Sequence, residues 1–308
     1  MLFRHGSQSM ELRHLRYFVR VAEDLNFTKA AAALRVAQPA LSRQVQDLED
    51  EIGVDLLLRG PRGVSLTAEG KLFAADAKQI LASADTAVEN VRALARGEFG
   101  TLQVGYAPSP TVDMLPPALA AFRKAVPRVK VNLHDLAGDE IAAGLRRGDL
   151  ELGLMVRPLK ANAEGLIFEP LLRVPLAVAC APDHPLAKLR RVKIQQLLNH
   201  PLVVFRRDDY SDYHHMLDAL FRGHSAPRIA VECDSMSSLV TEVAGGRGIA
   251  LVSRIAERVI GTRLAFRAIQ DTDLFQEVGL CRALKGDVTP AGENFCDYVR
   301  QAAKKVKM

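Results

Sequence analysis

Between residues 10 and 67 the apolar positions recur at helical intervals. Leu12, Leu15, Phe18, Val19, Ala22 and Leu25 mark one face of a first amphipathic helix. Asn26-Phe27-Thr28 interrupts it, and Thr28 is placed to cap a second helix through Ala30, Ala31, Ala33 and Leu34. After Val36-Ala37 a third helix is predicted from about Gln38 to Ile52, closed by Gly53. Pro39 sits in its first turn, where the missing N–H costs nothing. Leu41, Val45, Leu48 and Ile52 give this helix an inner face, while Gln38, Ser42 and Gln46, with Arg43 beside them, line another. Leu56-Leu57-Leu58 and Val64-Ser65-Leu66 flank Arg59-Gly60-Pro61-Arg62-Gly63, which reads as a hairpin with a Gly/Pro tip.

Thr67 then opens a long Ala-rich stretch, residues 68–96, with no glycine after Gly70 and no proline. Phe73, Ala77, Ile80, Ala84, Ala87, Val91 and Leu94 alternate four- and three-residue steps, the seam of a coiled coil. At 1.5 Å per residue this helix is roughly 40 Å long. The seam could pack on its own chain, but its small alanines favour close pairing with a second copy. From about Gly97 the texture changes. Strand-like runs (TLQVGYA, VKVNL, LELGLMV) alternate with helical ones (PPALAAFRKAV, EIAAGLRRG), an α/β signature.

Composition narrows the class without naming a function. The 308 residues are 48% hydrophobic and 25% charged, ordinary globular values that argue against disorder. No run of about 18 apolar residues offers a membrane span, and the polar start lacks the apolar middle of a secretory signal. Residues 1–9 (MLFRHGSQS) read as a tag remnant or an upstream start ahead of Met10, and a cytoplasmic location is expected. Cys180, Cys233, Cys281 and Cys296 lack Cys-x-x-Cys spacing, so neither a zinc site nor a disulfide framework is expected. The formal net charge of +5 is unevenly placed. Residues 1–67 hold 9 Lys+Arg against 8 Asp+Glu, and the excess lies in the α/β half, which fits a site for a small anion there.

Two helices joined by a tight turn, the second opening with Gln, Ser and Arg, match a helix-turn-helix that sets its second helix in the major groove. Gln pairs with adenine and Arg with guanine in bidentate fashion, and Ser meets either a base or a phosphate. Arg59 and Arg62 on the hairpin would reach backbone phosphates, as a wing does. Any surface helix carries such side chains, so a small helical domain with a solvated polar face stays open on pattern alone.

The run MELRHLRYFVRVAEDLNFTKAAAALRVAQPALSRQVQDLEDEIGVDLLLRGPRGVSLTAEG, residues 10–70, resembles the winged helix-turn-helix of LysR-type transcriptional regulators. Ala-Gln-Pro-Ala-Leu-Ser-Arg-Gln at 37–44 and Leu-Thr-Ala-Glu-Gly at 66–70 carry the likeness together. It implies three parts within an α/β fold class. These are a DNA-binding domain at 10–67, a linker helix at 68–96 and a two-lobed α/β effector domain at 97–308 resembling periplasmic binding proteins. The lobes would take 97–171 plus 270–308, and 172–269. By motif position Gln38, Pro39, Ser42 and Arg43 would read DNA, supported by Thr28, Lys29 and Gln46, with Arg59 and Arg62 on the wing. The resemblance also implies a homo-oligomer, a tetramer built on dimers paired through the linker helix, with promoter DNA and RNA polymerase as partners. The opening and the AQPALSRQ run look closest to members controlling the breakdown of aromatic compounds, whose effectors are often small carboxylates such as muconate or benzoate. No cofactor is implied beyond such an effector.

Ligand in a hinged pair of α/β lobes sits at strand C-termini and helix N-termini, where free N–H groups favour anions. Ser109, Pro110 and Thr111 follow the strand TLQVGYA, and Ser109 matches the family's binding Ser/Thr; Ser109 and Thr111 would also cap the next helix. Arg157 follows LELGLMV, one residue past the place where aromatic-responsive relatives keep a ligand arginine, a shift that turns a strand residue to the other face. Phe205 and Arg206 end the strand LVVF, and an arginine stands where those relatives have proline. Asp234-Ser235 reads as a helix N-cap. A stand-alone solute receptor would explain the lobes but not residues 10–96. An enzyme lacks support, since the chain has no Gly-x-Gly-x-x-Gly turn, Gly-x-Ser-x-Gly elbow or His-Glu-x-x-His.

Overall fold

The computed structural model describes residues 10–60 and 63–307, so Arg62, Pro61 and residues 1–9 lie outside the described residues. The chain divides into two compact units, one running to Arg92 and the other from Ala93.

In the first unit α1 (Leu12–Asp24), α2 (Phe27–Leu34) and α3 (Gln38–Ile52) enclose a core of Phe18, Val21, Ala30, Ala31, Leu41, Val45 and Leu48. Leu25 and Arg35 take left-handed conformations at φ 45° and 57°, turning the chain sharply after α1 and α2. Asn26, not Thr28, caps α2: its side chain accepts from Lys29 N at 3.0 Å, which puts Thr28 inside the helix as an exposed residue. Gly53 ends α3 at φ 81°, a conformation cheap only for glycine. β1 (Leu57–Gly60) and β2 (Gly63–Leu66) pair antiparallel, Leu57 opposite Leu66 and Gly60 opposite Gly63.

A buried acid holds the wing to the helices. Glu49 is 4% exposed, and its Oε1 accepts from Leu56 N and Leu57 N, each at 2.9 Å. Its Oε2 accepts from Arg59 at 2.7 Å, and Arg59 also donates to Gln46. The next element, α4 (Ala68–Ala95), starts where Thr67 Oγ1 accepts from Gly70 N at 2.8 Å and donates to Asp55 O at 2.9 Å. A Cβ on Gly70 would lie 1.9 Å from Leu56 O, so the start of α4 can pass the wing only with glycine there.

The heptad seam of α4 divides into two parts. Phe73 packs 5.4 Å from Phe18, and Ala77 joins Leu15 and Val19 in a satellite cluster, so the first turns belong to the unit's own core. Beyond them Ile80 is 42% exposed, Val91 69% and Leu94 54%, an apolar row that the described chain leaves uncovered.

In the second unit, β3 (Gly100–Tyr106), α5 (Pro108–Thr111), α6 (Leu115–Ala125), β4 (Val129–Asp135), α7 (Gly138–Arg147), β5 (Leu152–Val156) and α8 (Lys160–Ala163) build the first lobe. β6 (Leu166–Cys180) leads out of it to β7 (Arg191–Lys193), α9 (Ile194–Leu197), β8 (Leu202–Phe205), α10 (Ser211–Leu220), β9 (Ile229–Cys233), α11 (Met236–Ala244), β10 (Ala250–Ser253), α12 (Glu257–Ile260) and β11 (Ala265–Gln270). β12 (Phe275–Ala283) and α13 (Pro290–Ala303) return to the first lobe. The large sheet runs β4-β3-β5-β12-β6-β11-β7, with β10 also on β6. β3, β4 and β5 are parallel, and β12 is antiparallel to both β5 and β6.

β6 serves both lobes. Leu172 and Val174 enter the core of Phe122, Phe295 and Leu280, whereas Leu176 to Cys180 enter that of Val203, Leu239 and Leu251. The chain therefore crosses at Pro175 and returns between Gln270 and Phe275. Of the two late strands, only β12 crosses back; β11 stays in the second lobe against β6 and β7.

Replacing Glu49 by alanine leaves two buried amides without an acceptor, each costing about 1–3 kcal/mol. The expected loss in urea unfolding of the first unit's transition is roughly 2–4 kcal/mol. A loss under about 0.5 kcal/mol would contradict this role.

Candidate functional site

The first unit exposes one compact polar face. α3 begins at Ala37 without a side-chain cap and without an acid in its first turn, so its positive end is not neutralised locally. Gln38, Pro39 and Arg43 are exposed there and Ser42 half-buried, and Arg43 has no ion pair among the described residues. Gln44 faces elsewhere, 3.1 Å from the buried His14 ring. Gln46 is engaged at both ends, accepting from Arg59 and donating to Asp50 at 3.3 Å.

Arg59 differs from the free wing arginine expected. Glu49 and Gln46 hold it, and its guanidinium lies 5.8 Å from the Phe27 ring centre, so it fixes the wing base more than it reaches outward. Lys29 is exposed and pairs with Asp24 at 3.1 Å, an arrangement easily exchanged for a phosphate.

The second unit contains a cavity of about 300 Å³ between its lobes. From the first lobe Ala107, Pro108, Ser109, Pro110, Asp135, Asp139 and Val156 line it; from the second come Phe205, Tyr210, Asp212, Tyr213, Ser235, Ser237 and Arg263. Ser109 is 6% exposed, lines this space and makes no hydrogen bond among the described residues. Phe205 stacks on Tyr210 at 4.4 Å, forming an aromatic wall.

Neither Ser109 nor Thr111 is a cap. Both lie inside the short α5, and Thr111 Oγ1 donates back to Ala107 O at 2.7 Å, away from the cavity. Arg157 and Arg206 also fall outside the lining. Arg157 pairs with Glu277 and covers the Phe168 ring at 4.7 Å, while Arg206 donates to Asp209 at 2.9 Å. A neighbouring acid pairs with each arginine. The only cation lining the cavity among the described residues is Arg263, whose Nε donates to Ile260 O at 3.2 Å.

The acids were not anticipated. Asp139 begins α7 and reaches across the lobes, where its Oδ2 accepts from Ser211 N at 3.1 Å and its Oδ1 from Ser211 Oγ at 3.0 Å and Asn162 Nδ2 at 2.7 Å. Asp212 of the second lobe accepts from Leu159 N of the first at 2.9 Å. Together these bonds clasp α7 and α8 to the start of α10. The position rule that pointed to Ser109 also covers Asp139, Ser211 and Ser235, each following a strand at a helix start. Ser235 caps α11, accepting from Ser238 N at 3.2 Å, and lines the cavity as well. Which of these residues would meet across the gap is set by tertiary packing, which the linear pattern does not carry.

Burial perturbs this edge of the cavity. It pushes Tyr210 up to about 12, helped by Glu140 and Asp135, and raises Asp135, with Glu140 adding to the effect. Asp212 rises to about 6, mainly through burial and also through Asp139, although Leu159 N opposes it. A carboxyl raised from 3.8 to about 6 in the folded state destabilises that state progressively between those pH values and fully above them. Asp212→Asn keeps the acceptor and removes the charge. It should raise the melting temperature at pH 7.5 more than at pH 4, at roughly 2–4 °C per kcal/mol recovered. Equal shifts at both pH values would contradict the assignment.

Two family models match. Residues 12–71 match the bacterial regulatory helix-turn-helix protein, lysR family, and residues 95–304 match the LysR substrate binding domain. The uncharacterized HTH-type transcriptional regulator YnfL of Escherichia coli is 35% identical over 96% of this chain and 100% of its own length. The HTH-type transcriptional regulator BenM of Acinetobacter baylyi is 31% identical over 86% of this chain and 87% of its own length. Among solved structures, full-length CbnR complexed with its target DNA superposes with a TM-score of 0.80 at 29% identity, covering 96% of this chain and 100% of that one. The chain belongs to the LysR family of bacterial transcriptional regulators, which bind DNA and carry an effector-binding domain.

Proposed function

We propose that this regulator reads its promoter through the N-terminal turns of α3 and is switched by a small carboxylate held in the cavity of the second unit. The observation that carries the first part is the exposed, uncapped start of α3, where Gln38, Pro39, Ser42 and Arg43 stand with Arg43 unpaired among the described residues. Gln38 and Arg43 suit base edges in the major groove, and Ser42 suits a base or a phosphate. Thr28 and Lys29 suit phosphate contacts that fix register. The second part rests on Ser109, a buried serine with an unused hydroxyl on the cavity wall, on Arg263, and on the start of α11, which carries no acid in its first turn.

The uncovered seam of Ile80, Val91 and Leu94 supports pairing of α4 with a second copy, which would present two reading helices to two half-sites. A tetramer made of two such dimers, acting in the cytoplasm and in contact with RNA polymerase, completes the reading. Effector binding shifts the lobes between open and clasped arrangements, and the oligomer transmits that shift to the spacing and bending of the bound DNA.

Arg43→Ala should weaken binding to the promoter upstream of the regulated gene by roughly 1–3 kcal/mol in a gel-shift titration, with a smaller loss on random DNA. Equal losses on both would demote Arg43 to a phosphate contact. The double change Val91→Glu and Leu94→Glu should halve the molar mass seen by light scattering. An unchanged mass would remove α4 from the interface.

A further inference from the structure

Two helix starts at the cavity already carry acids, Asp139 and Glu140 on α7 and Asp212 on α10, while α11 carries none in its first turn. The cavity is therefore polar in a directional way. Ser109 and Arg263 offer donors to an anion, whereas Asp135, Asp139 and Asp212 offer only acceptors.

The acids are not equivalent. Asp139 spends both oxygens on Ser211 and Asn162, and Asp212 spends one on Leu159 N. The Asp135 carboxylate has no hydrogen bond or ion pair among the described residues, although the residue lines the cavity. It ends β4 directly opposite Tyr106 on β3, and the Phe205–Tyr210 stack stands across from it, with Tyr210 sensing its charge. Arg157 and Arg206 do not line the cavity and are held by Glu277 and Asp209. Asp135 is exposed at the cavity wall, and an open carboxylate there favours a ligand group that donates a hydrogen bond and repels a second carboxylate.

Resting on the reading of the cavity as a carboxylate site, we propose that its ligand is a monocarboxylate bearing a hydroxyl or ammonium donor, with Asp135 as the residue that selects the donor and rejects dicarboxylates. The carboxylate faces Ser109 and Arg263, the ligand body lies along Phe205 and Val156, and the donor meets Asp135 and the open oxygen of Asp212. A donor to a charged acceptor is commonly worth tenfold or more in affinity.

The test is calorimetric titration of the full chain with benzoate, 3- and 4-hydroxybenzoate, 4-(aminomethyl)benzoate and cis,cis-muconate. At least one donor-bearing probe should bind about tenfold tighter than benzoate, and muconate should bind more weakly than benzoate. Preference for the hydroxybenzoates or for the aminomethyl probe distinguishes the two donors. In Asp135→Asn the advantage of an ammonium should vanish and muconate should gain about tenfold relative to benzoate. If benzoate binds as tightly as every donor-bearing probe, or muconate binds best, the proposal fails while the carboxylate reading stands. If no probe binds, both fail. Should the variant not fold, the order of affinities in the unaltered protein decides alone.

Discussion

The sensing unit depends on one strand shared by two cores. β6 gives Leu172 and Val174 to one lobe and Leu176 to Cys180 to the other, so the lobes are joined where the chain crosses at Pro175 and returns between Gln270 and Phe275. Parallel strands within each lobe send their C-terminal ends and following helix starts toward the same gap. Ser109, Asp139, Ser211 and Ser235 all arise from that rule, one after each of four strands. What the rule leaves free is chemistry, and here the lobes differ: some helix starts offer donors, others carry acids. The Asp139–Ser211 and Asp212–Leu159 bonds then use two of those acids to draw the lobes together.

The DNA-binding unit shows the same economy with a single buried acid. Glu49 lies on the inner side of α3 and receives the amides of Leu56 and Leu57 together with Arg59, so α3 and the wing beside it are tied together. At the other end of α3, Gln38, Pro39 and Arg43 remain exposed, and Arg43 has no ion pair among the described residues.

Much of this was legible in the sequence where local chemistry decides the outcome. Pro39 and Gly53 bracket α3 because proline suits a first helical turn and glycine a left-handed end. Gly70 belongs to a recognisable run because the chain start of α4 crosses a carbonyl at a distance no Cβ tolerates. Long-range pairing was less legible. Arg59, Arg157 and Arg206 look alike as isolated arginines, and each is captured by an acid 10, 120 or 3 positions away. Thr28 lost the capping role to Asn26, which takes the extended conformation just before α2 and accepts from Lys29 N, while Thr28 already lies inside the helix. Net charge does not fix the sign of the cavity wall either. The +5 is real, yet Asp135, Asp139 and Asp212 face the cavity with Arg263 as their single opposing charge among the described residues. Charge counted over a segment says little about the sign of a surface that only packing creates.

In the proposed switch, the state of the lobes sets how DNA is held. Asp139→Ala breaks the clasp at Ser211 and Asn162 while leaving α3, α4 and Ser109 unaltered, so it biases the lobes without any ligand. The direct measurement is a hydroxyl-radical footprint with a bend-angle assay on the promoter fragment, comparing the variant with the unaltered protein. The account requires a changed half-site spacing or bend at similar overall affinity. The same footprint and the same bend from both proteins, with the clasp shown to be broken, would contradict it.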